Sequence, residues 1–495
     1  MANLEASQDE LAFSGGSEFL PKGWELVCGL EVHTELKTKT KLFCGCENVF
    51  GAQANTNVCP TCLGLPGSLP VLNERALEIA AMIGLALSAK VQASIFHRKN
   101  YFYPDMPKDF QISQYDIPLN ADGYLVLPSG KRIGIERAHV EEDTGKITHL
   151  GGTSGRIHGA ERALIDYNRS GVPLVEIVSR PDIASPEEAR EYVSELRSTL
   201  VAIGASDGKM EEGSLRVDAN VSVRPVGEVP FRTRCEIKNL NSLRSLVRAI
   251  TFEARRQVDA YLAGERVTQQ TRHWDENVGR TVALRNKEEA EDYRYFPEPD
   301  LVPLRPSEEW IEGLRSQLGE LPSVRRARLV AGLGLSATND QVETAISVDL
   351  YPFVKAALDA GVDPKIAVAR CANELASLTP LDPAFEVSWF VEILRMETEG
   401  GLSATQAKSI LAEVAKSLIS PKVAQEKLGI SQLSEDQLTG TVQEVIQQNP
   451  AEWERFINGE PQLQGFFVGK IMKVTSGKAD GKAVVRILRN LAGQG

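Results

Sequence analysis

Hydrophobic and polar residues alternate along several stretches of the N-terminal half of the chain. The stretch WELVCGLEVHTEL begins at Trp24, and the stretch LRVDANVSVRP begins at Leu215. Because successive side chains of a strand point to opposite faces, each stretch predicts a β-strand with one apolar and one polar face. The polar face of the first strand would carry Glu31 and His33. A third stretch, YLVLPSGKRIGIER, predicts a β-hairpin that turns at Gly130.

Amphipathic helices with capping signals separate these strands. Ser185 is followed by Pro186 and then by Glu188, a pattern that supplies an N-cap, a first-turn proline and a capping-box glutamate. Apolar positions at helical spacing continue from there to Gly204. A second helix is predicted to end near Gly264, and its basic side consists of Arg244, Arg248, Arg255 and Arg256.

The pattern becomes helical throughout after the segment YFPEPDLVPLRP. Ser403 and Gln406 form another predicted capping box there, which opens an amphipathic helix. The sequence therefore predicts an α+β region followed by an all-α region. We divide the chain into a disordered leader (1–23), an α+β domain (24–304), a helical domain (305–428) and a small helical tail domain (429–495).

Composition places the chain among ordinary globular proteins. Its 495 residues suffice for about three domains, and 42% hydrophobic and 25% charged residues are typical values. No apolar run approaches the roughly 20 residues that cross a bilayer. The N-terminus lacks a basic segment followed by an apolar one, so it does not resemble a secretory signal. We expect a cytoplasmic protein without a membrane segment.

The net charge of −12 argues against a strongly basic nucleic-acid binder, but a local basic surface is still possible. From Val468 onward, Asp480 is the single acid among several basic residues. Two interpretations stay open for this segment, an RNA-binding surface or a solvated helix face. The basic residues are Lys470, Lys473, Lys478, Lys482, Arg486 and Arg489.

Four of the seven cysteines form two close pairs, Cys44-x-Cys46 and Cys59-x-x-Cys62. Two such pairs joined by a short loop can place four thiolates around one tetrahedral Zn²⁺. Free thiols or disulfides are the alternatives, and a cytosolic setting disfavours disulfides. A closed four-sulfur site would stabilise the loop and would not be catalytic.

Acidic residues in unusual surroundings are the candidates for catalysis. Glu176 lies in an apolar run, where an ionised carboxylate needs a partner or a metal. Carboxylates that share a cleft need cations, and Mg²⁺ ions that hold a triphosphate would meet this need. The other candidate ligands are Glu31, His33, Glu142, Glu211, Glu212 and Asp218.

Basic side chains that could hold phosphate oxygens are Lys99, Lys108, Arg169, Lys209 and Arg216. The alternative interpretation is that most of these acids and bases are simply solvated. The sequence has no phosphate-binding glycine loop of the P-loop or dinucleotide kind and no protein-kinase signature. If the chain uses ATP, it would do so through carboxylate-bound magnesium in an open cleft built on a sheet.

Several long segments resemble the B subunits of aspartyl/glutamyl-tRNA amidotransferases. They cover the region 24–304 densely, and one further segment in the tail resembles the family's tRNA-binding helical domain. The segments are Gly29–Leu36, Arg98–Asp116, Asp166–Val178, Lys209–Ser222, Glu236–Ser242, Asp292–Leu301 and Gly465–Asp480.

The resemblance implies a cradle-shaped catalytic domain of the glutamine-synthetase kind at residues 24–304, and a tRNA-binding tail. It implies that Glu31, His33, Glu142 and Glu176 are metal ligands and catalytic residues, and that Glu211, Glu212 and Asp218 are secondary Mg²⁺ ligands. It also implies that the four cysteines bind zinc. Imidazole is an unusual ligand for Mg²⁺ and fits Mn²⁺ or Zn²⁺ better, so two modes stay open for His33, direct binding or binding through water.

The implied reaction is phosphorylation by ATP of the side-chain carboxylate on Glu-tRNA(Gln) or Asp-tRNA(Asn), followed by attack of ammonia. The sequence contains no recognisable glutaminase nucleophile, so ammonia would come from a partner amidase, the family's A subunit. The family also implies a small C subunit that completes a heterotrimer. The choice between the two tRNAs stays open. Two other classes of protein remain as alternatives: a ligase that amidates a small molecule, and a zinc-stapled scaffold that only presents tRNA.

Overall fold

The computed structural model describes residues 19–151, 160–283, 293–333, 339–430, 435–475, 479 and 481–493. By its internal contacts the chain divides into two compact units, Met1–Leu321 and Pro322–Gly495. The first unit combines a large sheet with helices, and the second is helical. This confirms the predicted order of a mixed α/β region followed by an α-helical region.

The described part of the first unit contains one 12-stranded sheet and one separate two-stranded sheet. The large sheet runs in the order β13-β12-β11-β10-β1-β9-β6-β4-β3-β14, with β5 also paired to β6 and β2 paired to β5. Its pairs are antiparallel except for β11 with β12. The smaller sheet pairs β7 with β8. The strands are β1 (Trp24–Glu35), β2 (Lys90–Val91), β3 (His97–Asn100), β4 (Phe110–Ser113), β5 (Asn120–Val126), β6 (Arg132–Glu142), β7 (Lys146–Leu150), β8 (Arg162–Asp166), β9 (Pro173–Ser179), β10 (Leu215–Pro225), β11 (Cys235–Leu240), β12 (Gln270–Asp275), β13 (Arg280–Ala283) and β14 (Phe296–Pro297).

Four helices of the first unit and eleven of the second are described. A π-helical turn (Cys371–Leu375) and a 3₁₀ turn (Ala376–Leu378) follow α8. The helices are α1 (Glu74–Ala86), α2 (Pro186–Ala202), α3 (Leu243–Leu262) and α4 (Glu308–Gln317), then α5 (Pro322–Leu333), α6 (Asp340–Ser347), α7 (Tyr351–Asp359), α8 (Pro364–Arg370), α9 (Val387–Thr398), α10 (Ala404–Ser417), α11 (Pro421–Lys427), α12 (Glu435–Gln447), α13 (Pro450–Ile457), α14 (Leu463–Val474) and α15 (Gly481–Leu491).

The predicted strands, hairpin and capped helices are confirmed, with one difference at a cap. Ser403 and Gln406 form the full reciprocal capping box of α10. At the start of α2, Ser185 accepts a hydrogen bond from the Glu188 N–H as predicted. The Glu188 carboxylate, however, accepts from the Ala184 N–H rather than from the N-cap N–H. Only half of that capping box forms, because this carboxylate also pairs with Lys131.

One face of the large sheet forms the core of the first unit. Leu30 and Val32 of β1 and Val217 of β10 are buried there in one apolar cluster with residues of α1, α2 and α3. The alternate residues of the same strands therefore lie on the opposite face, where no helix of this cluster covers them. That second face carries the polar residues described in the next subsection.

Helix α4 lies beyond the predicted domain boundary at residue 304 but packs with the first unit. Its Ile311 and Leu314 belong to the same apolar cluster as the sheet, and the division by contacts falls after Leu321. The second unit has two apolar clusters, one from Leu329 to Ala424 and one from Leu438 to Leu488. The predicted boundary at 428 falls between them, and the leader 1–18 lies outside the described residues.

A buried carboxylate stabilises the side of the sheet formed by β12 and β13. Glu253 of α3 is fully buried, and it accepts hydrogen bonds from Arg256 (2.6 Å), Gln257 (2.9 Å) and Thr281 (2.8 Å). Arg272 lies 3.2 Å from its second oxygen. Burial alone would raise the pKa of Glu253, but these donors lower it overall. The network replaces the water that the carboxylate loses on folding.

We expect Glu253→Gln to lower the free energy of unfolding by about 3–5 kcal/mol, because it leaves two partly buried guanidinium groups without their anion. Urea denaturation of the full chain measures this change. The matched control is Glu228→Gln, which breaks a partly exposed pair with Arg232 and should leave the midpoint nearly unchanged. Equal midpoints for the two variants would contradict the stabilising role of the network.

Candidate active site

The antiparallel register places four polar side chains in one row across the sheet. His139 of β6 lies opposite Glu176 of β9, Glu176 lies opposite His33 of β1, and His33 lies opposite Arg216 of β10. Directly opposed residues of antiparallel strands point to the same face. All four side chains therefore share the face that the core helices leave uncovered. The row forms because β1 and β9 pair in the sheet, although they are far apart in the sequence.

His33, Glu141 and Glu176 come close enough to share one cation. One potential ligand atom from each lies within 4.8 Å of the other two. The His33 Nε2 is 3.5 Å from a Glu141 oxygen, and the His139 Nε2 is 3.1 Å from a Glu176 oxygen. Two carboxylates and an imidazole suit a small divalent cation, with Mn²⁺ accepting the imidazole more readily than Mg²⁺ does.

The electrostatics of Glu176 favour its ionised form. Burial would raise the pKa of this carboxyl, but the charge of His139 and its hydrogen bond, together with His33, lower the pKa well below its usual range. Burial raises the pKa of Glu31, and the nearby Glu176 raises it further. Glu31 is outside the three-residue group and accepts a 2.8 Å hydrogen bond from Asn220. It flanks the group on the same face.

The position of Glu142 differs from the sequence prediction. The structure does not bring its carboxylate to His33 and Glu176. It accepts a 3.0 Å hydrogen bond from the Ile112 N–H and forms a buried ion pair with Lys108. Consecutive residues of a strand point to opposite faces, so Glu141 faces the polar row and Glu142 faces the core side. Lys108, predicted to bind phosphate, is occupied by this pair.

Arg216, at one end of the row, shares one buried carboxylate with Arg169. Asp143 is only 3% exposed, and its Oδ2 lies 2.9 Å from Arg216 and 3.4 Å from Arg169. Arg169 also donates to the carbonyl oxygens of Thr144 and Gly145 at 3.0 and 3.1 Å. The two arginine side chains stay about one-third exposed, at 34% and 36%. The exposed part of each arginine side chain remains accessible to an anionic ligand.

Glu35 lies beside these arginines, two residues after His33 on the same face of β1. Burial, and next the charge of Asp143, raise the pKa of its carboxyl to about 7, while the charges of Arg216 and Arg169 oppose the shift. The sequence prediction did not include Glu35, His139, Glu141 or Asp143. The sequence did contain a signal for Glu141. The apolar Ala138 and Val140 point to the same side of the strand as Glu142, which predicts that Glu142 faces the core and that Glu141 faces the polar side.

The other predicted site residues are spread over separate contacts. Asp218 lies on the polar face opposite Glu31 and pairs with Lys238 at 3.3 Å. Glu211 and Glu212 are exposed, and Glu212 pairs with Lys209 at 2.8 Å. Lys99 lies over the ring of Tyr293, 4.5 Å from its centroid. In the described part of the chain, none of these acids joins a cluster of three potential ligands.

The four predicted zinc ligands are brought together. One ligand atom from each of Cys44, Cys46, Cys59 and Cys62 lies within 4.8 Å of the others, and all seven cysteines are free thiols. The pKa of Cys62 is lowered to about 4, first by a hydrogen bond from Cys44 and also by the Cys59 N–H and the charge of Lys41. Four converging sulfurs fit a closed tetrahedral metal site.

The basic residues predicted for RNA binding are described only in part. Lys473 is exposed on α14, whereas Lys470 donates to Asn449 and lies 4.8 Å from the centroid of the Phe466 ring. Arg486 is exposed on α15. Lys478 and the side chain of Lys482 lie outside the described residues.

Comparison with known proteins identifies the class to which this fold and site belong. The family described as the GatB/GatE catalytic domain matches residues 26–312, and the family described as the GatB domain matches residues 353–491. Among helices of the described residues, none is long and apolar enough to cross a membrane.

The similar proteins extend over nearly the whole chain. A relative from Frankia casuarinae is 48% identical over 94% of this chain and 95% of its own length. One from Thermobifida fusca is 45% identical over 99% of both chains, and one from a Synechocystis species is 44% identical over 95% and 98%. Each is named as the B subunit of an aspartyl/glutamyl-tRNA(Asn/Gln) amidotransferase. The chain belongs to this family of amidotransferase B subunits.

We expect Glu141→Gln to weaken Mn²⁺ binding by at least about tenfold, because a direct ligand should matter no less than an outer-shell partner. Isothermal titration of the full chain with Mn²⁺ measures this. The matched variant Glu142→Gln should keep the wild-type affinity but lower the denaturation temperature, because it leaves Lys108 buried without its partner. Equal losses of affinity in the two variants would contradict the assignment of the two faces.

Proposed function

We propose that the chain uses ATP to phosphorylate the side-chain carboxylate of a Glu or Asp residue attached to tRNA, and that ammonia then displaces the phosphate. The observation that carries this proposal is the cluster of His33, Glu141 and Glu176 on the polar face of the sheet, beside Arg169 and Arg216. Acidic ligands next to a pair of arginines suit metal-bound phosphates and a carboxylate substrate.

The reaction has two steps with defined leaving groups. A carboxylate oxygen forms a bond to the γ-phosphorus while ADP departs, and ammonia then attacks the carbonyl carbon while inorganic phosphate departs. A divalent cation, when bound, neutralises phosphate charge. His33, Glu141 and Glu176 would hold that cation, with Glu31 beside it, and Arg169 and Arg216 would bind the phosphoryl oxygens. His139 would hold Glu176 in its ionised state and orientation.

The substrate would be Glu-tRNA(Gln), Asp-tRNA(Asn) or both, since the names of the relatives include both tRNAs. The basic residues of α14 and α15, in a tail domain at residues 429–495, would bind the tRNA. We also propose that the region 24–304 is a cradle of the glutamine-synthetase kind, that residues 305–428 form a helical domain, and that the four cysteines hold a structural zinc ion.

Ammonia would come from a partner protein. We propose a cytoplasmic complex with two partners: an amidase that hydrolyses glutamine, which is the family's A subunit, and the small C subunit. The acyl phosphate hydrolyses readily in water, so ammonia must reach it before bulk solvent does. A partner that contacts the polar face of the sheet would meet this requirement.

We expect the assembled complex, supplied with ammonium chloride and charged tRNA, to release ADP and form the amide. Glu141→Gln should reduce both products at least about a hundredfold, because the phosphate charge is no longer neutralised. Glu136→Gln is the matched control, because it changes an exposed glutamate of the same strand. If the wild-type complex releases no ADP, the result contradicts the proposal and favours a scaffold that only presents tRNA. If the complex is active without tRNA, the result favours a ligase that amidates a small molecule.

We expect deletion of residues 429–495 to raise the KM for the aminoacyl-tRNA while leaving the rate of ADP release at saturating tRNA nearly unchanged. The physical reason is that contacts of a basic surface with tRNA phosphates contribute equally to binding of the ground state and of the transition state. Steady-state kinetics at several salt concentrations measure this, and the salt dependence of KM should become weaker in the deletion variant. An unchanged KM would contradict a role for the tail in tRNA binding.

A further inference from the structure

Two loops of the first unit are tied together by side-chain hydrogen bonds. We call them the cysteine loop (Cys44–Cys62) and the Arg169 loop (Tyr167–Gly171). Asn55 accepts a hydrogen bond from the Tyr167 N–H at 2.7 Å. Asn168 accepts from the Asn57 N–H at 2.8 Å and donates to the Gln53 carbonyl at 2.7 Å. None of these bonds involves a sulfur atom, so they link the two loops independently of the metal ligands.

Lys41 contacts both loops and a cysteine at once. Its side chain is fully buried, and its Nζ lies 2.8 Å from the Asn57 carbonyl oxygen, 3.3 Å from the Tyr167 carbonyl oxygen and 3.7 Å from the Cys62 sulfur. Lysine is almost never fully buried without a partner of opposite charge. Among the ion pairs of the described residues, Lys41 has no carboxylate partner.

The four thiolates supply the missing negative charge. Four thiolates around one Zn²⁺ carry a net charge of about −2, and a buried ammonium group beside one of the sulfurs compensates part of it. Outer-shell partners of this kind orient and stabilise metal ligands. The loaded cysteine site therefore places a lasting charge of opposite sign beside the buried ammonium group of Lys41.

The Arg169 loop connects this site to the polar face. Gly171 accepts from the Leu42 N–H at 2.9 Å, and its own N–H donates to the Asp143 carbonyl at 2.9 Å. Gly171 has a φ of +83°, and a Cβ there would lie 3.6 Å from Cys62 and 3.7 Å from Lys41. The backbone that carries Arg169 is thus fixed between the cysteine loop on one side and Asp143 on the other.

We propose that Lys41 is a positioning residue that balances the charge of the loaded cysteine site and holds the Arg169 loop against it. Metal on the cysteines thereby keeps a phosphate-binding arginine in place, a consequence that rests on the proposed function. The link between the metal and the Arg169 loop does not depend on the proposed function. A zinc site that served only its own loop would need neither Lys41 nor the Asn55 and Asn168 bonds.

The first test measures metal retention in the full-length chain. Lys41→Met keeps the length of the side chain and removes its charge and its donors. We expect a colorimetric chelator to remove zinc from this variant about 10–100-fold faster than from the wild type. Lys39→Met, an exposed lysine two residues away, is the matched control and should release zinc at the wild-type rate. An unchanged release rate in Lys41→Met would overturn the proposal.

The second test needs no substitution, so it stands even if Lys41→Met fails to fold. Hydrogen–deuterium exchange is compared for the wild-type chain before and after zinc removal. We expect faster exchange in the Arg169 loop, which contains no cysteine, and unchanged exchange in α3 of the same unit. Faster exchange confined to the cysteine loop would overturn the link between the two loops.

The third test asks whether the link reaches the reaction. Asn168→Ala removes two loop-to-loop bonds without touching a sulfur, so zinc release should stay at the wild-type rate while the KM for ATP rises and kcat changes less. Asn48→Ala, which removes side-chain bonds made only to Leu36 and Thr38, is the control. An unchanged KM in Asn168→Ala would overturn the role of the link in holding Arg169. Failure of the wild type to release ADP would instead contradict the proposed function, and the first two tests would still decide the role of Lys41.

Discussion

The antiparallel register of β6, β9, β1 and β10 is the constraint on which the site depends. It sets His139, Glu176, His33 and Arg216 opposite one another in one row. A slip of one residue in any pair would move that strand's polar residues to the core face. The apolar alternates, which pack with α1, α2 and α3, make such a slip costly. The energy that stabilises the core thus also fixes the geometry of the candidate metal ligands.

Pairs of opposite charge lie along the edge of this face. Asp143 holds Arg169 and Arg216, Glu142 holds Lys108 on the other side, and Lys41 stands beside the cysteine thiols. Each buried charge has a counterpart of opposite sign, because an isolated buried charge is unfavourable. The neighbouring residues Glu141, Glu142 and Asp143 consequently serve three different environments.

Much of the fold could be predicted from local pattern. Alternation predicted β1 and β10, and capping residues predicted the starts of α2 and α10, because these signals act within a few residues. The neighbours of β1 could not be predicted that way, since its pairing with β9 and β10 is non-local. The sequence predicted a shared site of acids that included Glu142. The local alternation of apolar and polar residues along β6, which that prediction did not use, places Glu141 in the cluster instead. The four-cysteine cluster was predictable because its spacing nearly fixes its geometry, while the role of Lys41 depends on a contact with the distant Tyr167.

The central claim is that His33, Glu141 and Glu176 hold the divalent cation that carries the nucleotide phosphates. Anomalous diffraction from crystals grown with Mn²⁺ and a non-hydrolysable ATP analogue tests this claim most directly. The account predicts a manganese peak within coordination distance of these three side chains, with the analogue's phosphates between the peak and Arg169. A peak beside Glu142, or nucleotide bound away from this sheet face, would contradict it.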